Sequence, residues 1–231
     1  MTNILKYFIV YPVYGINAAI TILPLILLLT RKELSHPLRV FTVYLSFKFI
    51  LDSIGLFMAC QSMNTLLICN TWVLVSAILT GLFFQYIFLD KPRKMLVTIL
   101  TISYVALFSV DLIWSNPIVN DLHNHKYVSF SLPLRSAFIL FLCLLFYSEL
   151  IQELYIKDLT RSAVFWIVSC LLVYHCSALF CTIVYQSEYV WEGKNFLKVV
   201  TDIPVAVESL TMILVAIGVM KEKKVAPIKS D

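Results

Sequence analysis

Apolar residues run in seven long stretches along nearly the whole of this 231-residue chain, separated by short polar clusters. The stretches are Tyr7–Leu29, Val40–Cys60, Leu66–Leu89, Met95–Trp114, Val128–Ile151, Ser162–Tyr185 and Leu197–Met220. A helix needs roughly 20 apolar residues to cross ~30 Å of hydrocarbon, and each stretch meets that length. The runs are continuous rather than alternating, which excludes a β-barrel of ~10-residue strands. The pattern predicts an all-α, polytopic seven-transmembrane-helix bundle over residues 1–220, followed by a basic tail at 221–231. Composition agrees. Hydrophobic residues make up 60% and charged residues 14% of the chain, against about 45–50% and about 25% in soluble domains. The mean hydropathy is +0.87.

The charges between the stretches set an orientation. Arg31, Lys32, Arg39, Lys91, Arg93, Lys94, Lys157, Arg161, Lys221, Lys223, Lys224 and Lys229 fall on one side, twelve in all, against four on the other: Lys6, Lys126, Lys194 and Lys198. The positive-inside rule then predicts an outside N-terminus and a cytoplasmic C-terminus. The net charge of +4 needs no nucleic acid, because basic residues beside helix ends meet anionic lipid headgroups. The first apolar run lacks a charged n-region and a small-residue cleavage site, so it is expected to stay as the first helix. The segments outside the spans are too short to bury a core; any enzymatic output would come from a separate partner. Helix 5 continues into the polar run Glu149, Gln152, Glu153, Tyr155, Lys157 and Asp158, where Glu153 and Lys157 stand i,i+4 and can pair. This is a solvated helix end or a docking stub for that partner.

Ionisable residues within the spans are the candidate chemistry. A charge at the bilayer centre costs about 2.5–3.5 kcal/mol on insertion scales and normally faces the bundle interior. At ~1.5 Å per residue, Asp111 and Asp202 lie within about two turns of the outer surface, Arg135 ~10 Å in and Asp52 ~12 Å in. Lys48, His175 and Glu208 lie ~15–18 Å in, near the midplane. Lys48 and Asp52 are i,i+4 and can neutralise each other. Asp111 and Arg135, on consecutive antiparallel helices at similar depth, are expected to pair as an interhelical lock. Glu208 has no basic residue one turn away. It shares a face with Thr201, Pro204 and Thr211, beside the carbonyl of Val200 that Pro204 frees. Such a carboxyl acts either as a proton-linked switch or as a neutral hydrogen-bonding acid. Asp52, His175 and Glu208 are therefore the candidate ligand- or proton-sensing residues; Lys48, Asp111, Arg135 and Asp202 are the polar residues that brace them. Cys60 and Cys69 flank the short outer loop between helices 2 and 3, where a disulfide can form.

Several classes find no support. His175 with Cys170, Cys176 or Cys181 scatters around its helix, and no CxxC or HExxH spacing exists, so neither a metal nor any other cofactor is expected. The absence of a Lys in the middle of the last helix excludes a retinal protein. No GxSxG, paired catalytic carboxylates or phosphate-cradling loop points to an enzyme. Ser46-Phe-Lys-Phe-Ile-Leu-Asp-Ser-Ile-Gly-Leu-Phe57 aligns with Ser169-Cys-Leu-Leu-Val-Tyr-His-Cys-Ser-Ala-Leu-Phe180, setting Asp52 opposite His175. This faint repeat matches helices 1–3 to 5–7 around helix 4, as in small 3+1+3 carriers of the SWEET type, whose proline-glutamine motif is missing here.

Two further stretches carry a resemblance. Asn70-Thr-Trp-Val-Leu-Val-Ser-Ala-Ile-Leu-Thr-Gly-Leu-Phe-Phe84 opens helix 3, and Leu159-Thr-Arg-Ser-Ala-Val-Phe-Trp-Ile-Val-Ser-Cys-Leu-Leu-Val-Tyr174 enters helix 6 through a Phe-Trp pair. Both are similar to small seven-helix inner-membrane proteins of Bacteroidota-type bacteria, often encoded beside sensor histidine kinases or response regulators. The family often has an acidic residue on helix 3 where this chain has Ser76. The resemblance brings no catalytic residues and implies signalling through a histidine kinase or similar partner. The leading expectation is a membrane sensor or accessory protein that relays a small-ligand, lipid or proton signal; a homo-oligomer is compatible with it. The alternatives are a small-solute transporter and a structural or assembly protein whose polar residues only join helices.

Overall fold

The computed structural model describes residues 12–31, 33–61, 63–116, 125–128, 130–153, 159–186 and 194–222. The described residues form seven α-helices and no strand: α1 Pro12–Leu29, α2 His36–Cys60, α3 Leu66–Ile87, α4 Lys91–Ser115, α5 Ser131–Glu153, α6 Ala163–Gln186 and α7 Lys194–Lys221, with one 3₁₀ turn at Leu159–Arg161. Six of them, α2 to α7, are long and apolar enough to cross a membrane; the apolar part of α1, Gly15–Leu29, is shorter. The expected start of helix 1 at Tyr7, the Tyr155–Asp158 extension and the tail beyond Glu222 lie outside the described residues.

The helix ends differ from the apolar runs for local reasons. α2 begins at His36 rather than Val40, with Ser35 extended before it and a proline in its first turn, where the missing N–H of proline is harmless. α4 begins at Lys91 rather than Met95 because the Asp90 carboxylate accepts the Arg93 amide at 3.3 Å, an N-cap that an apolar count cannot see. α5 starts at Ser131, three residues later than expected. Its cap comes from another helix: Asp111 Oδ2 accepts the amides of Phe130 (3.0 Å) and Ser131 (2.7 Å) and the Ser131 hydroxyl (2.7 Å). The irregular segment before it is held down by Asn70, whose Nδ2 donates to the Lys126 carbonyl at 2.8 Å and whose Oδ1 accepts from the Val128 amide at 3.2 Å.

Each helix packs on the next, and α7 packs on α1, so the seven close into a ring. α3 also touches α5, which leaves α4 on the outside. Its Ile99, Ile102, Leu107, Val110, Ile113 and Trp114 are exposed, as suits a lipid-facing surface rather than a watery one. The interior is built from Phe41, Leu45, Phe84, Ile139, Ile167 and Val215 with their neighbours. Two glycines let helices approach closely, as bilayer interfaces favour. A Cβ on Gly81 would stand 2.3 Å from the Thr101 hydroxyl of α4, and one on Gly218 would stand 2.4 Å from the Trp166 Cβ of α6.

One end of the ring is tied by charges. Arg31 after α1 pairs with Glu222 after α7 at 2.8 Å, and Arg93 of α4 pairs with Glu149 of α5 at 2.8 Å. Lys221 lies over the Trp166 ring at 5.5 Å, and the Trp166 indole donates to the Thr160 carbonyl at 2.9 Å. Gly218→Ala is expected to force α6 and α7 apart and destabilise the fold by about 1–3 kcal/mol, read as a lowered Tm in detergent. Gly55→Ala, whose nearest neighbour would be Ile68 at 3.9 Å, is the control that leaves Tm unchanged.

Candidate functional site

Lys48 stands at the middle of α2 with only 3% of its side chain exposed. Its ammonium lies 2.8 Å from Asp52 Oδ2, one turn along the same helix, and 3.2 Å from Glu208 Oε1 on α7. It also lies 5.8 Å from the centre of the Trp72 ring on α3. The other Glu208 oxygen accepts from Asn17 Nδ2 of α1 at 2.8 Å, and Asn17 Oδ1 accepts from the Ser209 hydroxyl at 3.1 Å. One cation and one amide thus join α1, α2 and α7, where the ring closes.

Glu208 is therefore not the unpaired acid expected from its own helix. Its cation comes from α2 and its amide from α1, and neither neighbour is visible in helical spacing. The Lys48–Asp52 pair does form. Asp52 is the open end of the cluster, with 31% of its side chain exposed. Two carboxylates share one ammonium, so the cluster carries a formal charge of −1 if both acids are ionised. In a medium of low dielectric such a group holds only with good geometry and complete hydrogen bonding.

The remaining candidates lie elsewhere. His175 on α6 is buried and bonds Ser136 of α5 through Nδ1 at 3.3 Å, with its ring edge on Tyr174. It makes no contact with Lys48, Asp52 or Glu208, so the three candidate sensing residues do not form one site; Asp52 and Glu208 do, through Lys48. The expected Asp111–Arg135 lock is absent. Asp111 is taken up by capping α5 and by the Ser115 hydroxyl at 3.2 Å, and Arg135 instead donates to the Ser76 hydroxyl of α3 at 3.0 Å. Similar depth on adjacent helices did not bring the two side chains to one face. Asp202 is half-buried on α7 and joins neither group. Cys60 and Cys69 are free thiols. Among the described residues no three His, Cys, Asp or Glu side chains converge as metal ligands. The repeat that set Asp52 opposite His175 pairs a part-exposed carboxylate with a fully buried ring.

Asn17, Ser136 and Ser209 complete these contacts and were not singled out by sequence, and Ser76 was noted only where the resembling family often has an acid. Their signal was weak but present, because each is a polar side chain inside an apolar run. A cavity of about 10 Å³ opens beside Glu208, lined by Tyr44, Tyr174, Thr211, Cys170 and Met212 among others. That is close to the room one water needs. In the segment outside the helices, burial pushes the Tyr127 phenol up to about 12 against the opposing pull of Arg135.

Removing the shared cation is the informative change. Lys48→Met leaves two carboxylates facing each other and is expected to destabilise the fold by about 3–5 kcal/mol, while the double variant Lys48→Met/Glu208→Gln recovers most of the loss. Asp52→Asn costs less, since Asp52 is partly exposed. Thermal unfolding in detergent reads all three; an unchanged Tm in Lys48→Met would remove the cluster from the ring closure.

The chain matches no family model, no curated protein and no solved structure.

Proposed function

We propose that this chain is an integral membrane sensor or accessory protein of seven spanning helices, with its N-terminus outside and its C-terminus in the cytoplasm. It relays a small-ligand, lipid or proton signal to a separate partner such as a histidine kinase. The observation that carries this reading is the Lys48 ammonium shared between Asp52 and Glu208. Each carboxylate is on a different helix, so a proton or cation arriving at either one changes the attraction between α2 and α7. α7 then runs uninterrupted to Lys221, ~20 Å from Glu208 at 1.5 Å per residue, and ends at the Arg31–Glu222 pair. A change in the cluster can thus be felt at the end where the basic loops gather.

A second reading has its own support. Both Glu208 oxygens are bonded, as is the Asn17 amide, and such bonds across membrane helices average about 0.6 kcal/mol each. A purely structural or assembly protein would use the cluster in that way alone.

Orientation is tested by fusions. A fluorescent protein after the tail is expected to mature, and a phosphatase inserted at 115–127 is expected to be active; the reverse pair of results would invert the topology. Relay is tested by a fluorescent label at the exposed Lys221 position. Glu208→Gln keeps the shape of the side chain and removes its charge, and is expected to shift the label's emission in liposomes. A label that ignores the substitution while Tm falls selects the structural reading.

A further inference from the structure

The Lys48 cluster has one more acid than it has cations. Asp52 Oδ2 lies 2.8 Å and Glu208 Oε1 lies 3.2 Å from the same ammonium. No other cation pairs with either carboxylate among the described residues. With both acids ionised the group is left with an excess negative charge in an apolar bundle, and a buried charge without its counter-charge is among the more costly features a fold can carry. One added positive charge removes that cost.

The geometry restricts what can bring it. The ammonium itself fills the gap between the two carboxylates. Among the described residues no third His, Cys, Asp or Glu side chain converges there, so a metal ion would have to expel Lys48 and find further ligands. The cavity beside Glu208, about 10 Å³, has room for about one water and none for an organic cation. A proton needs no room.

The two acids are not equivalent acceptors for it. Glu208 is engaged at both oxygens, by Lys48 and by the Asn17 amide at 2.8 Å, and bonds of that kind favour the ionised form. Asp52 holds the ammonium through Oδ2 alone, and its Oδ1 has no bond among the described residues. Its side chain is 31% exposed against 8% for Glu208, which opens it to exchange. A hydrogen on Asp52 Oδ1 breaks no existing bond and leaves the ammonium to Glu208. The other groups near Asp52 do not alter the charge count. α2 adds Tyr44 and α3 adds Cys69, both ordinarily neutral at pH 7, and α1 adds only Asn17, which does not titrate.

We propose that the stimulus this cluster takes is a proton, one per chain, bound on Asp52 Oδ1, after which Lys48 pairs with Glu208 alone. The inference deepens the sensor reading and rests on it for the consequence: protonation turns a cation divided between two acids into an undivided tie between α2 and α7.

The test is infrared difference spectroscopy of the full chain in phosphatidylcholine liposomes. The titration runs from about pH 9 to about pH 4, the span between a deeply buried carboxyl and an ordinary one. A protonated carboxyl has its own C=O stretch, and exposed carboxyls cancel between wild type and variant. The expected result is a band that titrates as one proton, moves with isotope-labelled aspartate but not labelled glutamate, and is absent from Asp52→Asn. Glu208→Gln balances the charge with Asp52 ionised, so it is expected to lower the midpoint by about one pH unit or more, a tenfold loss of proton affinity. Should Asp52→Asn fail to fold, the labelled wild type and Glu208→Gln carry the test. Coincident spectra of wild type and Asp52→Asn, a band that follows labelled glutamate, or an unmoved midpoint in Glu208→Gln would overturn the proposal. A pH-insensitive fluorophore at position 221 separates this from the relay. A titrating band with a silent fluorophore keeps the proton site and removes the sensor reading. A fluorophore that follows pH without the band removes the proton site alone.

Discussion

The closure of the helix ring depends on a single ammonium. Lipid offers a polar side chain nothing to bond, so the interior polar groups of an apolar bundle must find one another. Lys48 meets that constraint on three helices at once. It neutralises Asp52 on its own helix, reaches Glu208 on α7, and through Glu208 holds Asn17 on α1. Apolar packing alone would not specify this arrangement, because Leu against Leu gains little over Leu against lipid. The charge cluster therefore fixes the register of α1, α2 and α7, and close contacts at Gly218 and Gly81 fix the spacing of their neighbours.

Two polar centres of opposite character result. One holds two carboxylates around one ammonium, and the other holds a guanidinium among hydroxyls and an imidazole. Tyr44 and Tyr174 line the small cavity beside Glu208. The separation is an arrangement of charge within the bundle rather than a chain of direct ion pairs.

Much of this was legible in the sequence, and the rest was hidden for definable reasons. Apolar run length located every helix, since bilayer thickness imposes it. Helix starts moved wherever a polar cap decided them, as Asp90 and Asp111 did. The Lys48–Asp52 pair was readable because both residues sit on one helix at a fixed spacing. The Glu208–Lys48 and Arg135–Ser76 contacts were not, because rotation of one helix against another is set by packing and leaves no trace in spacing. Asp111 shows the limit plainly: a depth argument paired it with Arg135, while the free amides at the start of α5 claimed it.

The distance along the chain between the ring's closing partners bears on how the protein is made. Asn17 and Glu208 are 191 residues apart. At ~5–20 residues per second of synthesis, α1 waits roughly 10–40 s before α7 exists. During that interval Lys48 cannot reach Glu208, but it can already reach Asp52, because their contact lies within one helical turn. The internal pair compensates the Lys48 charge within α2 before α7 exists. The side-chain bonds of Asn17 go to Glu208 and Ser209, both on the last helix, so they form only when α7 arrives.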